Sequence, residues 1–209
     1  MSGAGIPRLA DTAIASLALF LTGPLALLAA LAIKLDSPGP ILYRQLRVGR
    51  DGRPFELYKF RTMVPGSDPI GIGSAVSADD PRVTRVGRLL RRFSLDEVPN
   101  LLNVLRGEMA IVGPRPTIPA QVELYTRRQR RRLEVLPGLT GWAQVSGRAG
   151  VSWEERIELD VWYVEHRSPA LDLRILGRTA ALLLSGRGLS PGEEGRRVPT
   201  EWQRKESGE

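Results

Sequence analysis

Hydrophobic positions first run unbroken, then alternate, then recur at helical spacing. Thr12 to Ile33 carries no charge and is rich in Leu and Ala, and it reaches the ~20 apolar residues that a bilayer-embedded helix needs. It continues into Lys34-Leu35-Asp36 with no cleavage pattern behind it, so a removed signal peptide is not expected. Gly23-Pro24 sits mid-segment, where proline removes a backbone hydrogen bond and predicts a kink. Basic residues flank both sides, Arg8 before and Lys34, Arg44 and Arg47 after. Cationic flanks favour the cytoplasmic side. A helix broken at Gly23-Pro24 would enter one leaflet and return; a kinked spanning helix fits the same residues. Asp11, near the entry, is expected to pair with a basic group or face the interface.

After the turn Asp36-Ser37-Pro38-Gly39-Pro40, the pattern alternates. Ile41 to Gln45 and Phe55 to Phe60 predict two short strands joined through Gly49-Arg50-Asp51-Gly52, a hairpin. Lys59 and Arg61 bracket Phe60 and would share one strand face. Val64 to Asp80, rich in Gly, Pro, Ser and Asp, reads as a loop. Arg82, Arg85, Arg88 and Arg91/Arg92 then recur at helical spacing, with Val83, Val86, Leu89, Leu90 and Phe93 interleaved. That is a basic amphipathic helix suited to an anionic bilayer surface, although a solvated face over a core has the same pattern. Val98, Leu101, Leu102 and Leu105 carry a further helix to Gly107. Ser152-Trp153-Glu154-Glu155 has the form of a capping box, with Ile157, Val161 and Val164 on one face of the helix it starts. Leu171 to Leu184 predicts another interfacial helix.

Charge changes the picture. The 209 residues contain 30 Lys and Arg against 23 Asp and Glu, a net charge of +7. Only Lys34, Lys59 and Lys205 are lysines, so arginine dominates, and its guanidinium favours bidentate contact with phosphate. Nucleic acid, nucleotide or anionic lipid are the phosphate-rich partners this admits. The run Arg127 to Arg132 has no zinc-finger, RNP-like or leucine-zipper context, and is expected on the surface. With no cysteine, disulfides and thiolate chemistry are excluded. His166, the one histidine, falls at a helix end and is not expected to be catalytic.

Candidate chemistry centres on Ser94-Leu95-Asp96-Glu97-Val98-Pro99-Asn100. Ser94 followed by Glu97 resembles a capping box, and Pro99 must sit in the first turn. The helix dipole would then hold Asp96 ionised, fit to bind a metal or attack phosphorus. Acidic pairs at helix starts are also plain caps, so other segments have to decide.

Those segments carry a resemblance. Tyr58-Lys59-Phe60-Arg61-Thr62-Met63, Asp80 to Gly87, Ser94 to Pro99, Val112-Gly113-Pro114-Arg115-Pro116 and Pro137 to Arg148 resemble, in order and spacing, five blocks of the bacterial sugar transferase family, the small monotopic phosphoglycosyl transferases. The resemblance extends from about Arg8 to Leu189. Two positions depart from the family pattern: Gly23-Pro24 stands where Ser-Pro is common, and Pro99-Asn100 where Pro-Gln is common.

The resemblance implies transfer of a sugar-1-phosphate from a UDP-sugar to undecaprenyl (polyprenyl) phosphate, with Asp96 as nucleophile and UMP released. Glu97 beside it would help hold Mg2+, or Mn2+ in its place, so the metal residues are Asp96 and Glu97. Lys59, Arg115 and Arg148 are candidate phosphate-binding groups, joined by Arg88 and Asp160. An anionic phospholipid membrane is the third partner, nucleic acid is not expected, and the product would pass to downstream glycosyltransferases at the cytoplasmic face of the bacterial inner membrane. The implied fold is α+β: a re-entrant membrane helix over 1–35, a catalytic domain over 36–190 with a small sheet and amphipathic interfacial helices, and a polar tail over 191–209. Two other readings use the same residues: a membrane-associated metal-dependent phosphohydrolase, and a basic membrane-tethered nucleic-acid-binding protein.

Overall fold

In a computed structural model of the protein, residues 4–67, 80–146 and 152–185 are described. Most of the loop expected over Val64 to Asp80, the polar tail and Arg148 lie outside them. The apolar N-terminal stretch forms α1 (Arg8–Asp36), a helix of 29 residues that runs through Gly23 and Pro24 with no interruption, or roughly 43 Å at the α-helical rise. Only 11% of its most apolar window is buried, and its length and composition suffice to cross a membrane. Phe20 is 80% exposed and Leu27 75%, which is not how a core helix disposes its large side chains. Pro24 removes the donor that would reach the Phe20 carbonyl. Two residues earlier, Thr22 Oγ1 donates to the Ala18 carbonyl at 2.6 Å, a back-bond that tends to bend helices.

Both ends of α1 rest on the same body. Near its start, Ala15, Ala18 and Leu19 join the cluster containing Leu101, Val104 and Met109. Near its end, Ala29 and Ile33 join Phe60 and Leu90. Polar ties fix the seats. Asp11 is buried, accepts from the Ile111 amide at 2.9 Å and lies 3.8 Å from Arg8, the basic partner expected for it. Arg8 also donates to the Met109 carbonyl at 2.8 Å and to that of Val104. At the far end Arg61 donates to the Ser37 carbonyl at 2.7 Å and to that of Pro38. The favourable approach of a cation to these carbonyls makes Arg61 a brace for the exit of α1 and separates its role from that of Lys59.

The alternating segment forms an antiparallel hairpin of β1 (Leu42–Val48) and β2 (Pro54–Phe60), longer than the pattern gives. Register pairs Tyr43 with Lys59, Gln45 with Leu57 and Arg47 with Phe55. Directly opposed residues point to one face, and since Phe55 and Leu57 are buried, this is the inner face.

The arginine-rich segment forms α2 (Arg85–Arg92), capped by Thr84, whose side chain accepts from the Gly87 amide. Leu90 is buried beneath it, whereas Leu89 and Phe93 stand exposed among Arg85, Arg88 and Arg92. Next come α3 (Asn100–Arg106), β3 (Ala110–Val112), α4 (Pro119–Glu123), and β4 (Gly138–Thr140), which pairs in parallel with β3. A Cβ on Gly138 would collide with the Gly113 backbone, so glycine lets the two strands' connecting chains touch there. That contact fixes the base of the Gly113 to Pro116 turn.

The C-terminal part contains α5 (Trp142–Ser146), α6 (Trp153–His166) and α7 (Pro169–Leu184). The capping box at the start of α6 is formed in both directions between Ser152 and Glu155. Replacing Ser152 by alanine is expected to lower stability by about 1 kcal/mol; an unchanged denaturation midpoint would contradict that role. His166 sits at the end of α6, stacked on Trp162. Leu173 and Leu184 are exposed on α7. Helices and two small sheets together give the α+β mixture that the sequence implied.

Candidate active site

The hairpin, the turn before α3 and the Gly113 to Pro116 turn bring Lys59, Asp96, Glu97 and Arg115 together. Glu97 is buried, and Lys59 Nζ reaches its Oε1 at 2.8 Å. Arg115 reaches the same oxygen at 2.5 Å and Oε2 at 3.4 Å. Burial by itself would raise the Glu97 carboxyl. The two cations outweigh it and hold the group well below the usual carboxylate range. Glu97 is therefore a fixed anion.

Asp96 is placed differently. Among the described residues its half-buried carboxylate has no hydrogen-bond or ion-pair partner. Burial first, then the charge of Glu97, raises its pKa above the ordinary value; Lys59, Arg115 and Arg91 offset part of that. An unshared anion facing three cations is disposed to accept an electrophile rather than to make a structural bond.

The local geometry corrects the expected cap. Ser94 is left-handed, φ 55°, and its side chain makes no cap bond. Leu95 to Glu97 form a 3-10 turn, and α3 begins only at Asn100, after Pro99. An N-cap residue needs extended backbone, which Ser94 lacks, and Glu97 turns away to Lys59 and Arg115. The charge state of Asp96 is set by burial and the charge of Glu97 on one side and by Lys59, Arg115 and Arg91 on the other.

Arg88 projects exposed from α2. Its neighbour Arg91 is the one directed inward: its Nε donates to Thr62 Oγ1 at 2.9 Å, and its charge acts on Asp96. Asp160 is buried on α6 behind the site and pairs with Arg132 at 2.5 Å. Arg132 also donates to Tyr125 Oη at 2.5 Å and to the Arg115 carbonyl at 2.8 Å. Asp160 thus meets the site through the backbone of Arg115. This corrects the expectation of a wholly surface run at Arg127 to Arg132. Arg128 and Arg131 do pair outward, with Glu158 and Glu165, but Arg132 is buried because it finds a carboxylate, a phenol and a carbonyl at once.

Burial drives the Asp160 carboxyl up to about 6, against the pull of Arg132 and Arg156. The unfolded group titrates near 3.8, so between these values the folded chain holds the additional proton. The contribution of this group is complete below the lower value and is lost as pH rises through the upper one. Asp160→Asn is expected to remove that decline. Urea midpoints at about pH 4 and pH 6.5 check it, and an identical pH slope in both proteins would contradict the assignment.

The donor set fits a hard divalent cation. Asp96 is unshared and Oε2 of Glu97 keeps spare acceptor capacity, while Mg2+ is commonly held by one or two carboxylates together with substrate phosphates. Among the described residues no cluster of three or more His, Asp or Glu exists that would hold a metal by protein ligands alone. A metal here would need the substrate to complete its shell.

Comparison with known proteins gives the family. Residues 3–186 match the model of the bacterial sugar transferase family. The chain is 45% identical over 184 residues to the uncharacterized sugar transferase EpsL of Bacillus subtilis (strain 168), covering 88% of this chain and 90% of that one. It is 47% identical over 186 residues to the UDP-glucose:undecaprenyl-phosphate glucose-1-phosphate transferase of Caulobacter vibrioides, covering 85% and 69%. A UDP-N-acetylgalactosamine-undecaprenyl-phosphate N-acetylgalactosaminephosphotransferase of Aeromonas hydrophila is 40% identical over 189 residues, covering 88% of this chain and 44% of that protein. The chain belongs to the bacterial sugar transferase family.

Proposed function

We propose that the protein transfers a sugar-1-phosphate from a UDP-sugar to undecaprenyl phosphate through a covalent phosphosugar on Asp96. The observation that carries this reading is the split within the dyad: Glu97 is held by Lys59 and Arg115, and Asp96 beside it is unshared among the described residues. A carboxylate oxygen of Asp96 attacks the β-phosphorus. The bond from that phosphorus to the bridging oxygen breaks, and UMP leaves with the electron pair. An oxygen of the lipid phosphate then attacks the same phosphorus and Asp96 departs as carboxylate. Both nucleophiles are anions, so neither step needs a general base. Lys59 and Arg115, with Arg91 near Asp96, present positive charge to the non-bridging oxygens, where preorganised cations act most strongly. Mg2+ held by Asp96 and Glu97 would neutralise the diphosphate and stabilise the departing UMP.

A membrane location follows from the chemistry, because one substrate is soluble and the other is a lipid. The seating of both ends of α1 on one body supports a helix that enters a single leaflet from the cytoplasmic face; a tag before Arg8 that labels from outside intact cells would sink that topology. Glucose and N-acetylgalactosamine, named in the relatives, are the first donors to try. Purified protein with Mg2+ and each UDP-sugar, without lipid, should release about one UMP per chain and gain the mass of one sugar phosphate. No adduct with any donor would overturn the reading, and steady release of free sugar phosphate would favour the hydrolase.

A further inference from the structure

A narrow cleft adjoins the dyad; its walls include Arg47, Leu57, Glu97, Asn100 and Arg115. Two polar atoms in those walls are buried with no partner, Nε of Arg47 and the side-chain oxygen of Asn100. Such groups are uncommon in native proteins and each calls for an explanation. Both residues line the same cleft, so an unused donor and an unused acceptor border one space beside the dyad.

Arg47 stands out by charge as well. Lys59 and Arg115 share Glu97, but among the described residues no carboxylate lies within ion-pair distance of Arg47. Its two other nitrogens reach only neutral oxygens, Gln45 Oε1 at 2.6 Å and the Pro116 carbonyl at 3.3 Å. Burial, then the charge of Arg115, lowers its pKa to about 10. The hairpin register puts Arg47 on the same inner face as Lys59. A buried cation facing a second cation is relieved by an anion between them, and a water molecule supplies no such charge.

We propose that Arg47 is a substrate-phosphate-binding residue of this site, gripping a phosphoryl group across the cleft from Arg115 while the Asn100 amide takes a hydroxyl or N–H of the same ligand. The proposal rests on the phosphoryl-transfer reading above. Its ligand chemistry, a phosphate ester, is common to the nucleotide donor and the polyprenyl phosphate.

The test uses the full chain with Arg47→Met and Arg47→Lys. Calorimetry with UMP and with inorganic pyrophosphate measures anion affinity without turnover. Two half-reactions separate the sources: UMP release from UDP-sugar without lipid, and discharge of the preformed adduct by undecaprenyl phosphate in nanodiscs. Arg47→Met is expected to lose about tenfold or more in one arm, as loss of a charge-assisted hydrogen bond implies, and to do so through KM more than kcat, with lysine recovering part. A donor-arm loss assigns the nucleotide phosphate, an acceptor-arm loss the lipid phosphate. Both arms within twofold of wild type would overturn the proposal. So would equal losses in both variants accompanied by a lowered thermal midpoint, which would make Arg47 a brace for the Pro116 turn. If wild type binds pyrophosphate through Arg47 but forms no adduct, the anion site stands and the transfer reading falls.

Discussion

Asp96→Asn is expected to abolish the phosphosugar adduct and to lower turnover on the order of 10^3-fold or more, the scale on which nucleophiles of covalent mechanisms are lost. An amide keeps the shape of the side chain but has neither the charge nor the lone-pair reactivity to displace UMP. Stability should move the other way or not at all. Among the described residues the Asp96 carboxylate has no partner to lose, and burial already disfavours its charge. Glu97→Gln should behave differently. It strips a shared anion from Lys59 and Arg115, so activity and the denaturation midpoint should fall together. Intact mass after incubation with donor, together with thermal midpoints, checks both. Adduct formation by Asp96→Asn, or a destabilisation equal to that of Glu97→Gln, would show that the two carboxylates do not divide the work as described.

Arg132→Met is expected to cost about 3–5 kcal/mol, the usual consequence of leaving one member of a buried ion pair alone. The side chain is buried, as is Asp160, and removal leaves that carboxylate without its hydrogen-bonded cation, with only the charges of Arg156 and Arg115 acting on it from outside hydrogen-bond reach. Adding Asp160→Leu to Arg132→Met should recover most of the loss, because two apolar groups of similar bulk satisfy a buried site better than one orphaned charge. Activity should not recover with it. Arg132 also holds the carbonyl of Arg115, and the partner of Glu97 loses its fixed seat whichever residue stands at 160. Urea midpoints and adduct-formation rates for the two variants separate the effects. A loss below about 1 kcal/mol in the single variant would place the pair in the weak class of exposed ion pairs.

Several elements were legible in the chain because their cause is local. An uncharged run as long as a bilayer-embedded helix needs forms one long apolar helix. The alternation about Gly49 to Gly52 makes a hairpin, and Ser152 with Glu155 closes a capping box in any context. Lys59, Asp96, Glu97 and Arg115 could be singled out through blocks of sequence that recur in the family. Arg47 read only as a basic flank of the apolar segment because the alternating pattern ended the first strand at Gln45; two further residues of pairing put it on the inner face with Lys59. Ser94 misled for the opposite reason, since its spacing from Glu97 fits a cap that the left-handed backbone cannot make.

The sequence by itself determined the long apolar helix, the hairpin, the helical segments and the acidic pair, features whose causes lie within a few residues of one another. Tertiary structure alone decided which carboxylate is held and which is left unshared. It also decided that Arg132 turns inward from a basic run, that Arg91 faces the dyad while Arg88 faces out, and that Arg47 lines the cleft. Those outcomes depend on which opposite charge arrives from a distant segment, and on how much water the meeting excludes. Residue spacing carries neither quantity.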